Sequence, residues 1–251
     1  MKKNKLFVLV LAVLSAQLVF SQQTETRKLS SFSKLFTSGQ IDVLVQKGSE
    51  ESVKIVAKGI GTARVITETS NNELHIYLED GDYRDINVKV YVTYNEIKTL
   101  DKSGQGNLEW LSDLVVDNFD LSMNDAGNCN FKGNIKTGQF NLVKTGSGNL
   151  NLTAVESNNA TFSMTGSGNL TVGSGAVEKQ VIELAGTASM SAPGFRVREC
   201  NASIHGSGNI EVSVSDLLEG QITGSGNIIY NGNARVNKKT VTGSGKITKR
   251  S

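Results

Sequence analysis

Proline and cysteine are nearly absent from this chain. Its 251 residues include one Pro, two Cys, one Trp and two His. Two cysteines exclude a disulfide-stapled scaffold and a cysteine-based zinc site. A single proline excludes collagen, which needs Gly at about one-third together with abundant Pro. Net charge is also lacking: Lys plus Arg number 26 and Asp plus Glu 24, which gives no basic footprint for nucleic acid. At 20% charged and 38% hydrophobic, the composition is neither that of a charge-rich disordered chain nor that of a membrane bundle. What the chain does hold is glycine, 26 in all, and the placement of these glycines is the main signal.

Only one long apolar run occurs. Leu6 to Phe20 is interrupted only by Ser15 and Gln17, follows Lys2, Lys3 and Lys5, and ends at the small residues Val19 and Ser21. This layout predicts a secretory signal peptide over residues 1–21 and a mature start near Gln22. The alternative is an uncleaved anchor, for which the run is short once flanks are counted. No Cys follows the run, so no lipoprotein attachment is expected. Without residues 1–21 the chain carries 23 basic and 24 acidic residues, net −1. No later segment reaches roughly 18 apolar residues, so no transmembrane helix is expected in the mature chain. The expected location is exported: periplasm, outer-membrane surface or secreted.

The glycines repeat. Gly-Ser-Gly-Asn stands at Gly146-Ser147-Gly148-Asn149, at Gly166, Gly168 and Asn169, at Gly206, Gly208 and Asn209, and at Gly224, Gly226 and Asn227. Degenerate copies are Gly104-Gln105-Gly106-Asn107, Asp125-Ala126-Gly127-Asn128, Gly186-Thr187-Ala188-Ser189 and Gly243-Ser244-Gly245-Lys246. The third positions fall at 106, 127, 148, 168, 188, 208, 226 and 245, with intervals of 21, 21, 20, 20, 20, 18 and 19. Fourteen of the 26 glycines lie in these eight copies, so glycine here marks a turn rather than disorder.

Period-two alternation flanks each turn and predicts strands. The residue after the Asn position is Leu108, Cys129, Leu150, Leu170, Met190, Ile210, Ile228 and Ile247, and two further on stand Trp110, Phe131, Leu152, Val172, Ala192, Val212, Tyr230 and Lys249. Twenty residues cannot bury a core alone, but stacked copies form continuous ladders of like residues. The fold expected is all-β: a parallel β-helix or β-solenoid of about eight coils with a β-rich N-terminal capping region. An antiparallel sandwich is the competing all-β reading, although its strands would not repeat at constant spacing. Seven steps at the ~4.8 Å strand spacing give a rod of roughly 34 Å.

Several details follow from that register. Phe119 should stack on Phe140, and Trp110 on Phe131. A third strand is expected around Val116, Ile135, Val155, Val177, Val197 and Val236. Lys144 breaks the apolar column Met123, Met164, Leu184, Ile204, Ile222 and Val241, so this column is expected to turn outward in the early coils. Lys98 and Lys102 in the first copy, and Asn237, Lys239, Lys246 and Lys249 in the last, suit open ends, where Lys discourages strand addition. The glycines allow positive φ or close stacking, and the Asn amide can bond up and down a ladder. Residues 22–97 lack the repeat but alternate in Ile41-Val43-Val45, Val53-Ile55-Ala57, Leu74-Ile76-Leu78 and Ile86-Val88-Val90-Val92. They are expected to form hairpins packed on the solenoid of residues 98–251.

Gly-Asn-Leu or Gly-Asn-Ile after Gly-Ser, taken with Ser38-Gly39-Gln40-Ile41-Asp42-Val43 and the leader, resembles the putative auto-transporter adhesin family with the head GIN domain. The resemblance spans about residues 29–248. It implies a β-helical, exported, non-catalytic protein of Bacteroidetes-type bacteria.

Candidate chemistry is thin. β-Helical polysaccharide lyases and hydrolases are the enzyme alternative, and glycosidic chemistry needs paired carboxyls about 5–10 Å apart. Glu109 and Glu211 share a column but stand five coils apart, near 24 Å, and Glu183 is isolated. Asp101, Asp117, Asp120 and Asp125 gather around the first two coils as turn and surface acids. Calcium-binding nonapeptide repeats place Asp in each turn, whereas here the turn residue is Asn. His75 and His205 have no partner His or Cys nearby in sequence. Cys129 and Cys200 lie in different columns on the order of 15 Å apart by strand spacing, too far to bridge. Thr145, Thr165, Thr223 and Thr242 suggest an outward Thr row that solvates the sheet or meets a glycan. Asn151, Asn159, Asn169 and Asn201 match Asn-x-Ser/Thr, as an Asn- and Thr-rich repeat does by composition. No catalytic, cofactor or metal residues are expected. The expected partner is a glycan or an envelope or host surface protein, and nucleic acid is not expected.

Overall fold

The computed structural model describes residues 22–250 apart from Asp125, so the leader reading of residues 1–21 and the turn acid Asp125 lie outside the described residues. The N-terminal strands are β1 (Gln23–Lys28), β2 (Lys34–Thr37), β3 (Ile41–Lys47), β4 (Ser52–Lys58), β5 (Val65–Ser70), β6 (Glu73–Leu78) and β7 (Asn87–Tyr94). Then come β8 (Thr99–Ser103), β9 (Leu108–Trp110) and β10 (Leu114–Asn124). Each inner coil is one long bent strand: β11 (Cys129–Thr145), β12 (Leu150–Gly166), β13 (Leu170–Gly186), β14 (Met190–Gly206) and β15 (Asn209–Gly224). The last coil and its predecessor are completed by β16 (Asn227–Asn231), β17 (Arg235–Thr242) and β18 (Lys246–Lys249).

From β8 onward each strand pairs with later strands in parallel and at about twenty residues' separation, so the repeat unit and the coil coincide. The result is the parallel β-solenoid that the periodicity predicts, with about seven turns. Like residues stack: Leu100, Leu121, Leu142, Phe162, Ile182 and Ala202 form one inner column, and Leu108, Cys129, Leu150, Leu170, Met190, Ile210, Ile228 and Ile247 another. All of these are buried. Trp110 stacks on Phe131 at 5.2 Å and 16°, and Phe119 on Phe140 at 5.5 Å and 26°, the two aromatic pairs expected.

The N-terminal segment enters the solenoid instead of only lying on it. β2 runs parallel between β6 and β8, and β3 runs parallel between β7 and β9. The chain therefore lays down an inner coil first, builds the outer coil β6–β7, and returns inward at β8. Antiparallel strands close that end: β5 pairs with β6, β4 with β7, and β1 with β4. The first Gly-x-Gly copy is thus an interior coil, not an open end. Lys102 is accordingly buried at 2% exposure and donates to the Gly104 carbonyl at 3.2 Å, while Lys98 is exposed beside Glu96.

Two further expectations are corrected. Ile135 and Val155 share a column with Leu114 and Phe195, while Val116 lies with Thr137, Ser157, Val177 and Val197, and Val236 pairs with Leu218. The third-strand valines therefore belong to three columns, because β10 and β11 pair at an offset of 21 and β12 and β13 at 20, whereas Val116 to Ile135 is 19 residues and Val155 to Val177 is 22. Lys144 does not turn outward. It is buried at 1% exposure between Met123 and Met164, and its ammonium nitrogen has no hydrogen-bond partner among the described residues. Its four-carbon stem replaces a methionine in the column, and Nζ fills the space that a side chain on Gly168 would need.

Burial holds the Lys144 amine below its ordinary value near 10.5. Above about pH 10.5 both folded and unfolded chains hold a neutral amine. Below it the unfolded chain binds a proton that the folded core resists, so stability falls as pH drops toward the folded-state value. Lys144→Met should therefore stabilise the protein by about 1–3 kcal/mol at neutral pH. Melting curves of both chains from pH 7 to 11 check this. The variant's advantage should shrink as pH rises, and a pH-independent difference would refute the account.

Candidate binding surface

The turn that organises the coils is built from two constraints. The first Gly takes positive φ, as at Gly146 (φ 87°), a region that Cβ makes costly for other residues. The second must let the next coil approach: a Cβ on Gly168 would collide with the Gly148 carbonyl of the coil before it.

The tight turn leaves the N–H of the fourth residue without a strand partner, and the side chain of the coil before supplies it. Asn107 N donates to Asp42 Oδ1 at 2.9 Å, Asn128 N to Asn107 Oδ1 at 3.1 Å, Asn149 N to Asn128 Oδ1 at 3.0 Å and Asn169 N to Asn149 Oδ1 at 3.0 Å. Ser189 N donates to Asn169 Oδ1 at 3.2 Å, Asn209 N to Ser189 Oγ at 3.0 Å, Asn227 N to Asn209 Oδ1 at 3.1 Å and Lys246 N to Asn227 Oδ1 at 3.2 Å. Backbone bonds return the favour: Val43 N donates to Asn107 O at 2.8 Å, and Leu108 N to Asn128 O at 2.9 Å. An eight-step ladder thus runs from Asp42 to Lys246. Sequence reading missed its first rung. Ser38-Gly39-Gln40-Ile41-Asp42 is a ninth copy of the turn, with Gly39 at φ 87° beneath Gly104. Its 65-residue offset from Asn107 hides it from a search for a 20-residue period.

Around the ladder the outward side chains are polar and varied. Glu109, Asn130, Asn151, Thr171, Ser191 and Glu211 form one continuous row, so the two glutamates stand five strand spacings apart, roughly 24 Å. Glu211 is ion-paired with Arg250. Arg198 gathers Glu178, Glu199 and Asp216 from three successive coils at 2.6, 2.7 and 3.2 Å. All three acids are tied to one guanidinium, so none of them is a free carboxylate. Asp101 is half-buried with its pKa raised by burial, and Asp120 accepts from Asn141 Nδ2 at 2.8 Å. A shallow groove of about 480 Å³ is lined by Asp113, Asn134, Lys136, Glu156, Ser174 and Arg196.

The remaining candidates are dispersed. His75 stacks flat on Phe36 at 4.6 Å and bonds Glu73 at 3.1 Å, while exposed His205 lies 3.3 Å from Ser203 Oγ. Cys129 and Cys200 are free and buried in separate columns, and burial pushes both thiols up to about 12. Such thiols are inert packing groups. The Thr row is broken, since Ala185 and His205 stand between Thr165 and Thr223. Among the described residues no three His, Cys, Asp or Glu side chains are placed to hold a metal ion.

The sequence over residues 31–234 matches the family described as putative auto-transporter adhesin, head GIN domain. The chain belongs to this family. Among solved structures it is similar to a putative adhesin from Parabacteroides merdae, at 23% identity and a TM-score of 0.85, covering 92% of this chain and 96% of the other. A putative lipid binding protein from Parabacteroides distasonis matches at 24% identity and 0.82, covering 92% and 97%. A putative adhesin from Bacteroides fragilis matches at 17% and 0.67, again covering 92% and 97%. At these identities the likeness concerns the fold. No curated protein matches the chain. Among the described residues no helix is long and apolar enough to cross a membrane.

The ladder's energetic weight is testable at its centre. Asn149→Ala removes one rung and leaves the Asn169 N–H unpaired, which should cost about 0.5–1.5 kcal/mol. Gly168→Ala forces the coils apart and should cost more, about 2–4 kcal/mol. Denaturant unfolding of both variants checks the order. Equal effects would show that the close approach at Gly168 is not limiting.

Proposed function

We propose that this protein is an exported, non-catalytic component of the cell envelope that binds through the side faces of its solenoid, with a glycan or an envelope or host surface protein as partner. The adhesin family and the adhesin fold neighbours support a binding role. The observation that carries the non-catalytic reading is the outward row from Glu109 to Glu211. Its acids are about five spacings apart, and in the grooves that Glu156 lines together with a second acid the carboxylates are already engaged, Glu156 by Lys136, Glu178 by Arg198 and Asp113 by the Asn134 N–H. A β-helical lyase or hydrolase would need two carboxyls converging in one groove and free to act on the substrate.

The protein should bind components of a glycan array or envelope extract, and it should leave a panel of polysaccharides undegraded. Release of unsaturated or reducing ends from any of them would overturn the non-catalytic reading. Labelling of intact producing cells with an antibody to the protein tests exposure, since adhesion requires it. An epitope reached only after the outer membrane is broken would refute surface adhesion.

A further inference from the structure

Charge is segregated along this rod. Residues 22–234 carry 17 basic and 24 acidic residues, net −7. Residues 235–250, the last coil, carry six basic residues and no acid. The near-neutral total therefore conceals a strongly basic end on an acidic body.

That end is also where the sheet stops. β17 pairs only with β15, and β18 only with β16, so among the described residues no strand covers their outer edges. Lys239 stands in the inner column after Ala202 and Gly220 and crosses the end of the core to donate to Ile247 O at 2.8 Å. Arg250 reaches back to Glu211. Arg235, Lys246 and Lys249 are exposed. The opposite end differs in both respects: antiparallel β1 and β5 cover it, and its charges are mixed.

We propose that the last coil docks end-on against an anionic lipid surface, with the solenoid standing away from the membrane. Cations gathered on the flat end of a rod fit a planar anionic partner. A linear polyanion would instead lie along a side, where acids predominate. The acidic body is repelled by the same surface, so the charge distribution selects the upright orientation as well as the contact. Each cation near such a surface contributes about fivefold in binding, and the effect fades within a Debye length. The contact does not depend on which partner the side faces bind.

The test is flotation of the chain from Gln22 onward, the part the fold describes, with vesicles of phosphatidylcholine containing phosphatidylglycerol. At about 50 mM salt the protein should float with these vesicles and not with pure phosphatidylcholine, and binding should fall steeply as salt rises. Arg235→Gln, Lys246→Gln and Lys249→Gln together should weaken binding on the order of 100-fold while leaving the circular dichroism and melting temperature unchanged. A control triple at other exposed positions, Lys28→Gln, Lys47→Gln and Lys58→Gln, should bind as the parent does. Equal loss in both triples would reduce the effect to net charge and overturn the proposal. So would binding to neutral vesicles, or binding to soluble polyphosphate without vesicle binding. Should the first triple melt lower, Lys246→Gln alone must still weaken flotation about fivefold.

Discussion

Coils in this protein must lie one strand spacing apart at the corner as well as along the strands. Along the strands the parallel ladder meets that condition unaided. At the corner it does not, because the backbone reverses and an N–H loses its partner. Two devices meet the constraint together. Glycines at the first and third turn positions remove the Cβ atoms that would hold coils apart, and the Asn side-chain oxygen reaches forward to accept from the orphaned N–H of the next coil. The column packing depends on this, since Phe119, Phe140 and Phe162 contact one another only at that spacing. Buried Lys102 and Lys144 depend on it too, because their ends occupy room that the glycines leave.

The fold was legible because repetition amplified weak signals. One Gly-Ser-Gly says little, but eight copies fix a period, a register and two aromatic stacks. What stayed hidden lacked repetition. Asp42 belongs to the ladder, yet the outer coil β6–β7 and its hairpins intervene between it and Asn107. The insertion of β2 between β6 and β8 has no signature in sequence order, since short strands carry no mark of which edge they join. Lys144 misled through its charge. Hydropathy weighs the ammonium, whereas the column weighs the stem, and a glycine turn beside it supplies room that sequence alone does not display.

The spacing of the outward acids was also legible, in part. Wide spacing of Glu109 and Glu211 follows directly from their repeat numbers. The Arg198 cluster does not, because its acids come from three coils and their convergence depends on side-chain length. The Thr row failed for a similar reason. Its members share a turn position, but Ala185 and His205 occupy the two copies between them.

The most conspicuous motif is therefore a poor guide to what the protein binds. Each ladder Asn already spends its carbonyl on the next coil, and each turn glycine is needed for stacking. Where the third and fourth turn positions depart from Gly-Asn, at Ala188-Ser189, the pair stays small and keeps an oxygen that accepts from Asn209 N, so these positions have little latitude to suit a ligand. The outward rows carry no such obligation. Glu109, Asn130, Asn151, Thr171, Ser191 and Glu211 occupy equivalent positions with four different side-chain types, and the backbone register is unaltered from one to the next. Positions that tolerate this variety are free to hold recognition chemistry. Side-face specificity is therefore best sought in these rows, on a scaffold whose repeat is consumed in holding itself together.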